Sequence, residues 1–259
     1  MLADITPVIL TYNEAANIGR CLERLSWAKR IIVVDSGSND ATVEICGCFP
    51  NVILQSRVFD CHANQWNFAV HETHIDTDWV LALDADYMVG KKFVDEVASL
   101  RPEESITGYR AAFDYALIGK RLRCGIYPPV VVLFRRCRGR YMQDGHTQRL
   151  EIDGKIPLVK ARIVHDDRKT PKRWVQSQIA YAQLEAERLY ALKMSRSLRD
   201  RLRTTVPVSW FLMPIYLLLV RRGILDGRAG WSYALQRCIA EAMISLFYFH
   251  RVSLANLKT

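Results

Sequence analysis

Asp84 and Asp86 stand one residue apart at the end of the apolar run Trp79–Leu83, in the stretch WVLALDADYMVG. Carboxylates delivered beyond a buried strand suit a hard divalent cation such as Mg2+ or Mn2+, which is commonly shared between one or two carboxylates and the phosphates of a substrate. Residues two apart on a regular strand point to one face, and at a strand end the second can turn into the loop so that both approach one ion. An Asp pair on a solvated loop usually binds nothing, so the pattern gains meaning from its company. Thr11, Tyr12, Asn13 and Glu14 follow the apolar run PVIL, and Asp35, Ser36, Gly37 and Ser38 follow IIVV. Neither a GxxxxGK[ST] nor a GxGxxG loop is present, so phosphates would be held through a metal rather than by a glycine-rich nest.

The elements that must position these clusters are readable from the hydrophobic pattern. Over the first hundred residues short apolar runs alternate with amphipathic ones, which predicts βαβ units and a mainly parallel sheet. Ligands of such sheets bind beyond the carboxyl ends of the strands, so the three polar clusters should line one crevice. From Thr107 to about His165 the texture changes to longer β-like runs, TGYRAAFDYALIG, VVVLFRR and KARIVH, expected as an antiparallel extension of the same sheet. From Lys172 the spacing is helical, with Trp174, Ile179, Ala182, Leu184, Leu189 and Leu192 available for an apolar face. The uncharged run VPVSWFLMPIYLLLV is interrupted by Pro207 and Pro214, and IAEAMISLFYF follows the turn-like RRGILDGRAG. Neither run reaches the roughly 18 to 20 residues that span a bilayer. The expectation is a helical hairpin over 204–259 that lies in a membrane interface, aided by Trp210, Tyr216, Trp231 and Tyr233, with packing on protein as the alternative.

Charge and composition point the same way. The net charge is +9, yet residues 1–159 hold 18 Lys/Arg against 20 Asp/Glu while residues 160–259 hold 18 against 7. A basic segment rich in aromatics and aliphatics favours an anionic membrane surface over nucleic acid. The seven cysteines are scattered, with no CxxC pair, and read as reduced thiols in a cytosolic protein; the N-terminus shows no signal-peptide pattern.

Two families place an Asp-x-Asp after an apolar strand. Haloacid-dehalogenase-like phosphatases would make Asp84 a nucleophile and draw further metal ligands from His165–Asp167, but their motif sits in the first strand and this one falls in the fourth. TPVILTYNEAANIGRCLERLSWAKRIIVVDSGSNDAT followed by WVLALDADYMV instead resembles the nucleotide-binding half of a family 2 glycosyltransferase with the GT-A fold. YPPVVVLFRR, RIVHDDRK, YAQLEAERL and RRGILDG are similar to the branch containing lipopolysaccharide-core β-glucosyltransferases. The resemblance implies that Thr11, Tyr12 and Glu14, with Asn13 and Ser36 beside them, shape a nucleoside pocket and that Asp35 contacts the base. It implies that Asp86 binds the metal, that Asp84 contacts metal or ribose, that His165 is a further metal ligand, and that Gln65 and Asn67 face the donor. Arg135, Arg136 and Arg149 would contact diphosphate or an anionic acceptor.

This chain departs from the family where a catalytic base is expected. MQDGHTQRL carries Thr147 where relatives place a glutamate, so Asp144 is the first candidate for the base and His146 the second, with a plain β-turn as the alternative for QDGH. The implied protein is an inverting, metal-dependent hexosyltransferase that moves a sugar from a nucleotide donor, UDP-linked, to a lipid-linked or lipopolysaccharide-type glycan at the inner face of the cytoplasmic membrane. The alternatives are an Asp-nucleophile phosphatase and an inactive nucleotide-sugar binding module. Residues 1–170 would form the GT-A domain, donor half 1–100 and acceptor half 101–170, and 171–259 the helical, membrane-associated region.

Overall fold

The structure, a computed structural model, describes residues 1–117, 119–144, 147–192, 198–204 and 208–256. The chain divides into two compact units, Met1–Arg121 with Ile126–Lys169, and Leu122–Gly125 with Thr170–Thr259.

The first unit opens with the predicted alternation: β1 (Ile5–Thr11), α1 (Ile18–Glu23), β2 (Ile31–Asp35), α2 (Thr42–Gly47), β3 (Val52–Ser56), α3 (His62–Asn67), β4 (Trp79–Asp84), β5 (Tyr87–Met88) and α4 (Lys91–Ser99). It continues with β6 (Gly108–Ala111), β7 (Phe113–Leu117), β8 (Lys120–Arg121), β9 (Val130–Arg135), β10 (Gly139–Asp144), β11 (Thr147–Ile152) and β12 (Ile163–Asp167). The central sheet has the order β3-β2-β1-β4-β9-β6, with the first four strands parallel and β9 antiparallel to both its neighbours. β1, β2 and β4 are buried almost throughout, as strands covered on both faces must be. On one face Ile9, Val33 and Leu83 meet Leu22 and Leu25 from α1 and its C-terminal turn and Phe93 of α4; on the other, Val8, Ile32 and Val80 meet Trp66 of α3.

The expected antiparallel extension is only partly realised. β6 and β9 join the central sheet, whereas β10 and β11 form a separate hairpin and β5-β12-β7-β8 form a second sheet in which β12 runs parallel to β7. The switch is made at Ala112, which lies between β6 and β7 and gives its carbonyl to the amide of Ile163.

The second unit is helical: α5 (Pro171–Leu192), α6 (Leu198–Thr204), α7 (Ser209–Ile215) and α8 (Arg228–Asn256). Three expectations are corrected here. Pro214 does not end the apolar helix, because the backbone widens into a π-type turn over Tyr216–Val220, closed by the Arg221 amide on the Tyr216 carbonyl. RRGILDGRAG is only in part a turn, since α8 starts at Arg228 and runs 29 residues, long and apolar enough to cross a membrane by length and composition. The buried side of α5 carries Ala182, Glu185, Ala186 and Leu189, while Ile179 and Leu184 are exposed. Glu185 goes inward because Arg188 and Arg203 both donate to it, and Arg203 also forms a two-bond pair with the buried Glu241 of α8.

Candidate functional site

Parallel pairing delivers the expected clusters to one sheet edge. Thr11 lies beside Asp35 across β1 and β2, and Leu10 lies beside Asp84 across β1 and β4. Past β1 the chain turns sharply through Asn13, whose φ of 55° lies in the left-handed region that asparagine tolerates. Its amide donates to Ser38 Oγ at 2.7 Å and its side-chain oxygen accepts the Asn39 amide at 2.7 Å, tying the loop after β1 to the loop after β2. Asp35 closes its own turn: the amides of Gly37 and Ser38 and the Ser38 hydroxyl all donate to its carboxylate. Ser36 Oγ accepts from Gln65 Nε2 at 3.0 Å, and Arg57 donates to Gln65 Oε1, so α3 is linked to the same edge. Among the described residues the buried Thr11 hydroxyl has no partner, and Tyr12 is half exposed beside it.

Asp84 ends β4, and Asp86 sits in the short turn before β5. Antiparallel pairing of β5 with β12 sets Tyr87 opposite His165, and the Asp166 amide donates to the Asp86 carbonyl. His165 Nε2 therefore lies 3.1 Å from Asp86 Oδ2. The rings of Tyr87, Tyr115 and Tyr127 stand edge-on around the imidazole at 5.3, 4.9 and 4.9 Å between centroids. Burial pushes the Asp84 carboxyl up to about 6, and the charge of Asp86 adds to the effect. Burial also opposes ionisation of Asp86, but His165 and Lys169 outweigh it and hold the group down at about 2. His165 is raised, because the pull of Asp86, Asp84 and Asp167 exceeds the burial that disfavours its charge.

A second set of residues locks this centre to α1, and the sequence pattern did not single most of them out. Asn17 Nδ2 donates to Glu14 Oε2 at 2.9 Å and to Asp167 Oδ1 at 3.1 Å, while its oxygen accepts the Arg168 amide. The buried Asp166 accepts from Arg20 at 2.5 Å, from Arg168 Nε at 3.1 Å and from the Gly119 amide at 2.8 Å. Lys169 Nζ lies 2.7 Å from Glu14 Oε1 and 3.4 Å from Asp167 Oδ2. Burial pushes Glu14 up to about 7 against the opposing charge of Lys169. The available signal was HDDRK itself, a charged run immediately after an apolar strand, where buried charges need partners from elsewhere.

Asp86 Oδ1 is buried and has no partner among the described residues, which fits an acceptor waiting for a cation or a donor group. Among the described residues no group of three or more His, Cys, Asp or Glu is assembled to hold a metal by itself. The expected metal-binding residues Asp84, Asp86 and His165 stand at this edge as two carboxylates, with His165 Nε2 engaged by Asp86. That donor set suits an ion whose remaining ligands are substrate oxygens and water, the usual arrangement for Mg2+.

Other expected residues lie elsewhere. Both ends of the Asn67 amide bind the backbone of Tyr141, so it docks the β10–β11 hairpin on α3 rather than facing a donor. Arg135 pairs with Trp79 at the opposite end of β4 from Asp84, where its guanidinium lies 4.8 Å over the Trp79 ring and donates to the Ile106 carbonyl. Five steps along the strand, of about 3.3 Å each, separate it from the polar edge. Arg136 donates its amide to Asp78 at that same end, and Arg149 pairs with Glu151 on the hairpin. Asp144 closes β10 opposite Thr147, and His146 falls outside the described residues.

Comparison with known proteins agrees with this architecture. Residues 6–100 match the family model described as Glycosyl transferase family 2. The chain is 28% identical over 149 residues to the lipopolysaccharide core biosynthesis glycosyltransferase LpsC of Rhizobium meliloti (strain 1021), covering 53% of each protein. An uncharacterized glycosyltransferase of Rickettsia felis is 25% identical over 244 residues, covering 88% of this chain and 83% of that one. The chain thus spans about half the length of the lipopolysaccharide-core relative. Among solved structures, S. aureus TarS 1-349 in complex with UDP superposes with a TM-score of 0.50 at 14% identity, covering 95% of this chain and 91% of that one, and shares the GT-A fold. The match covers residues 6–100 and is to a glycosyltransferase family, not to a phosphatase.

Proposed function

We propose that this chain, a member of glycosyl transferase family 2 through its residues 6–100, transfers a hexose from a UDP-sugar to a lipid-linked or lipopolysaccharide-type glycan with inversion at the anomeric carbon. The observation that carries the reading is the pair Asp84 and Asp86 at the carboxyl edge of β4, with one buried Asp86 oxygen that has no partner among the described residues. A nucleoside diphosphate brings several negative charges to an edge that already holds Glu14, Asp84, Asp86 and Asp167, so binding calls for a bridging cation. Asp84 and Asp86 would hold Mg2+ or Mn2+, which supplies charge neutralisation for the departing diphosphate.

The chain's own residues do the rest. His165 holds Asp86 ionised, and Asn17, Arg20 and Lys169 keep β12 against α1 so that the carboxylates stay aimed at the crevice. Thr11, Tyr12, Asn13, Asp35 and Ser36 form the wall against which the nucleoside lies, with Gln65 behind Ser36. The acceptor hydroxyl oxygen bonds to the anomeric carbon as the bond from that carbon to the diphosphate oxygen breaks. The hydroxyl proton passes to a base, for which Asp144 and then His146 are the proposed groups. The name of the lipopolysaccharide-core relative and the apolar, basic second unit support a lipid-borne acceptor and a place at the inner face of the cytoplasmic membrane.

The test is divalent-dependent UDP release from a panel of UDP-sugars. Asp86→Ala should lower turnover by about 100-fold or more, the usual cost of removing one charge-stabilising contact from a transition state. Release that is unchanged in this variant, or in excess chelator, would remove the metal from the reading.

A further inference from the structure

In the second unit the described segment 208–256 contains only two acids, Asp226 and Glu241, and both are buried. The Asp226 carboxylate accepts the amides of Arg123 and Cys124, and Glu241 is held by Arg203 and Arg237. The charged side chains that this segment leaves exposed are therefore all positive: Arg221, Arg222, Arg228 and Arg251. Between them lies apolar surface. On α7 and its π-type turn Phe211, Ile215 and Leu219 are 58%, 41% and 63% exposed, while Leu217 and Leu218 pack inward. On α8 Trp231, Leu235 and Leu246 are 57%, 61% and 68% exposed. At about 100° per residue these three fall within about 60° of one another, and Arg237 and Glu241 point about 80° or more away from them.

We infer that this face of α7 and α8 docks on an anionic phospholipid surface, with α8 lying along the membrane rather than crossing it. The inference deepens the membrane part of the reading above and does not depend on the transfer chemistry. Length alone would allow crossing, since 29 residues reach about 43 Å against a hydrocarbon core of about 30 Å. The inward side of α8 forbids it. Near mid-helix Glu241 pairs with Arg237 at 3.4 Å and with Arg203 at 2.5 Å, and Arg203 in turn pairs with Glu185 at 3.3 Å. Crossing would carry this network into hydrocarbon, together with the polar face of α5, which leaves Gln176, Gln183 and Glu187 exposed. In the in-plane placement the network stays inside protein, the apolar stripe enters the acyl boundary, and the arginines meet phosphate headgroups. Charge complementarity selects lipid as the occupant over a second copy of the same face, whose arginines would oppose one another.

The experiment uses the full chain and preformed vesicles. Co-sedimentation with phosphatidylglycerol-containing vesicles should be at least about 10-fold stronger than with phosphatidylcholine alone at low salt, and the difference should shrink at high salt. Trp231→Glu with Leu235→Glu, both at exposed positions, should lose about 10-fold or more of this binding with an unchanged melting temperature. Arg228→Cys and Arg251→Cys, each compared with a parent carrying Cys48→Ser and Cys137→Ser, should both react with a membrane-impermeant maleimide added outside the vesicles. Equal or absent binding to the two vesicle types at low salt overturns the lipid assignment. Protection of one end of α8 from the maleimide shows a crossing helix and overturns the in-plane placement. Intact vesicle binding in the double glutamate variant, with a dimer converted to a monomer, assigns the face to a second copy. UDP release from a donor without lipid acceptor, measured on the same variants, reports separately on the transfer reading.

Discussion

At the scale of single residues the centre is defined by neighbouring carboxylates in unequal surroundings. Asp86 is held ionised by His165, whereas Asp84, half-buried, is pushed up to about 6 by the burial of its carboxyl and by the nearby charge of Asp86. The consequence for stability has a definite sign. Above pH 6 Asp84 is ionised in both states and the folded state bears the whole cost of its buried charge. Between 6 and the unfolded value near 3.8 the folded state takes up a proton and the cost fades. Asp84→Asn should therefore stabilise the metal-free protein by about 1–3 kcal/mol at pH 8 and by almost nothing at pH 4, while lowering turnover. Thermal unfolding in chelator across that range checks it, and a gain that grows toward low pH would contradict the assignment. Residues that bind are here distinct from residues that aim: Asn17, Arg20 and Asp166 fix where β12 lies, and through it where His165 meets Asp86.

At the scale of elements the second unit is pinned by charge inside an apolar setting. Arg203 and Glu241 are 6% and 1% exposed at their side chains and are joined by two hydrogen bonds. Truncating one partner leaves the other buried without a counter-charge, so Glu241→Ala should cost about 3–5 kcal/mol. Replacing both by Arg203→Met and Glu241→Leu should recover most of that loss. Urea unfolding of the three proteins decides between a net-stabilising pair and one that chiefly sets how α6 meets α8. A double variant as unstable as the single one would favour the first. The start of α8 is constrained differently: a Cβ at Gly230 would lie 2.0 Å from the Gly223 carbonyl oxygen, so backbone contact there admits only glycine.

At the scale of the whole molecule the chain separates its charge. Residues 160–259 carry 18 basic against 7 acidic side chains, and the first 159 carry 18 against 20. Electrostatic attraction to an anionic surface is screened within about 8 Å at physiological salt. Turnover with a lipid-borne acceptor should therefore fall about 10-fold between low and high salt, while UDP release to water should change less than about 2-fold. Parallel losses in the two assays would place the salt effect in the donor site instead.

Sequence alone determined the alternation of strands and helices in the first hundred residues, the edge at which Thr11, Asp35 and Asp84 emerge, and the character of the basic, apolar C-terminal region. These rest on local periodicity and on the fixed geometry of parallel strands, which any stretch carries within itself. Only tertiary structure decided which charges meet. His165 reached Asp86 because β5 pairs with β12 across 79 residues of chain, and Arg20 reached Asp166 across 146. Arg135 looked available for a phosphate until pairing with Trp79 set it at the far end of β4, and Glu185, which is not among the residues expected on the apolar face of α5, is drawn inward by Arg203. Burial of a charge depends on partners distant in sequence, and no periodicity within one segment records them.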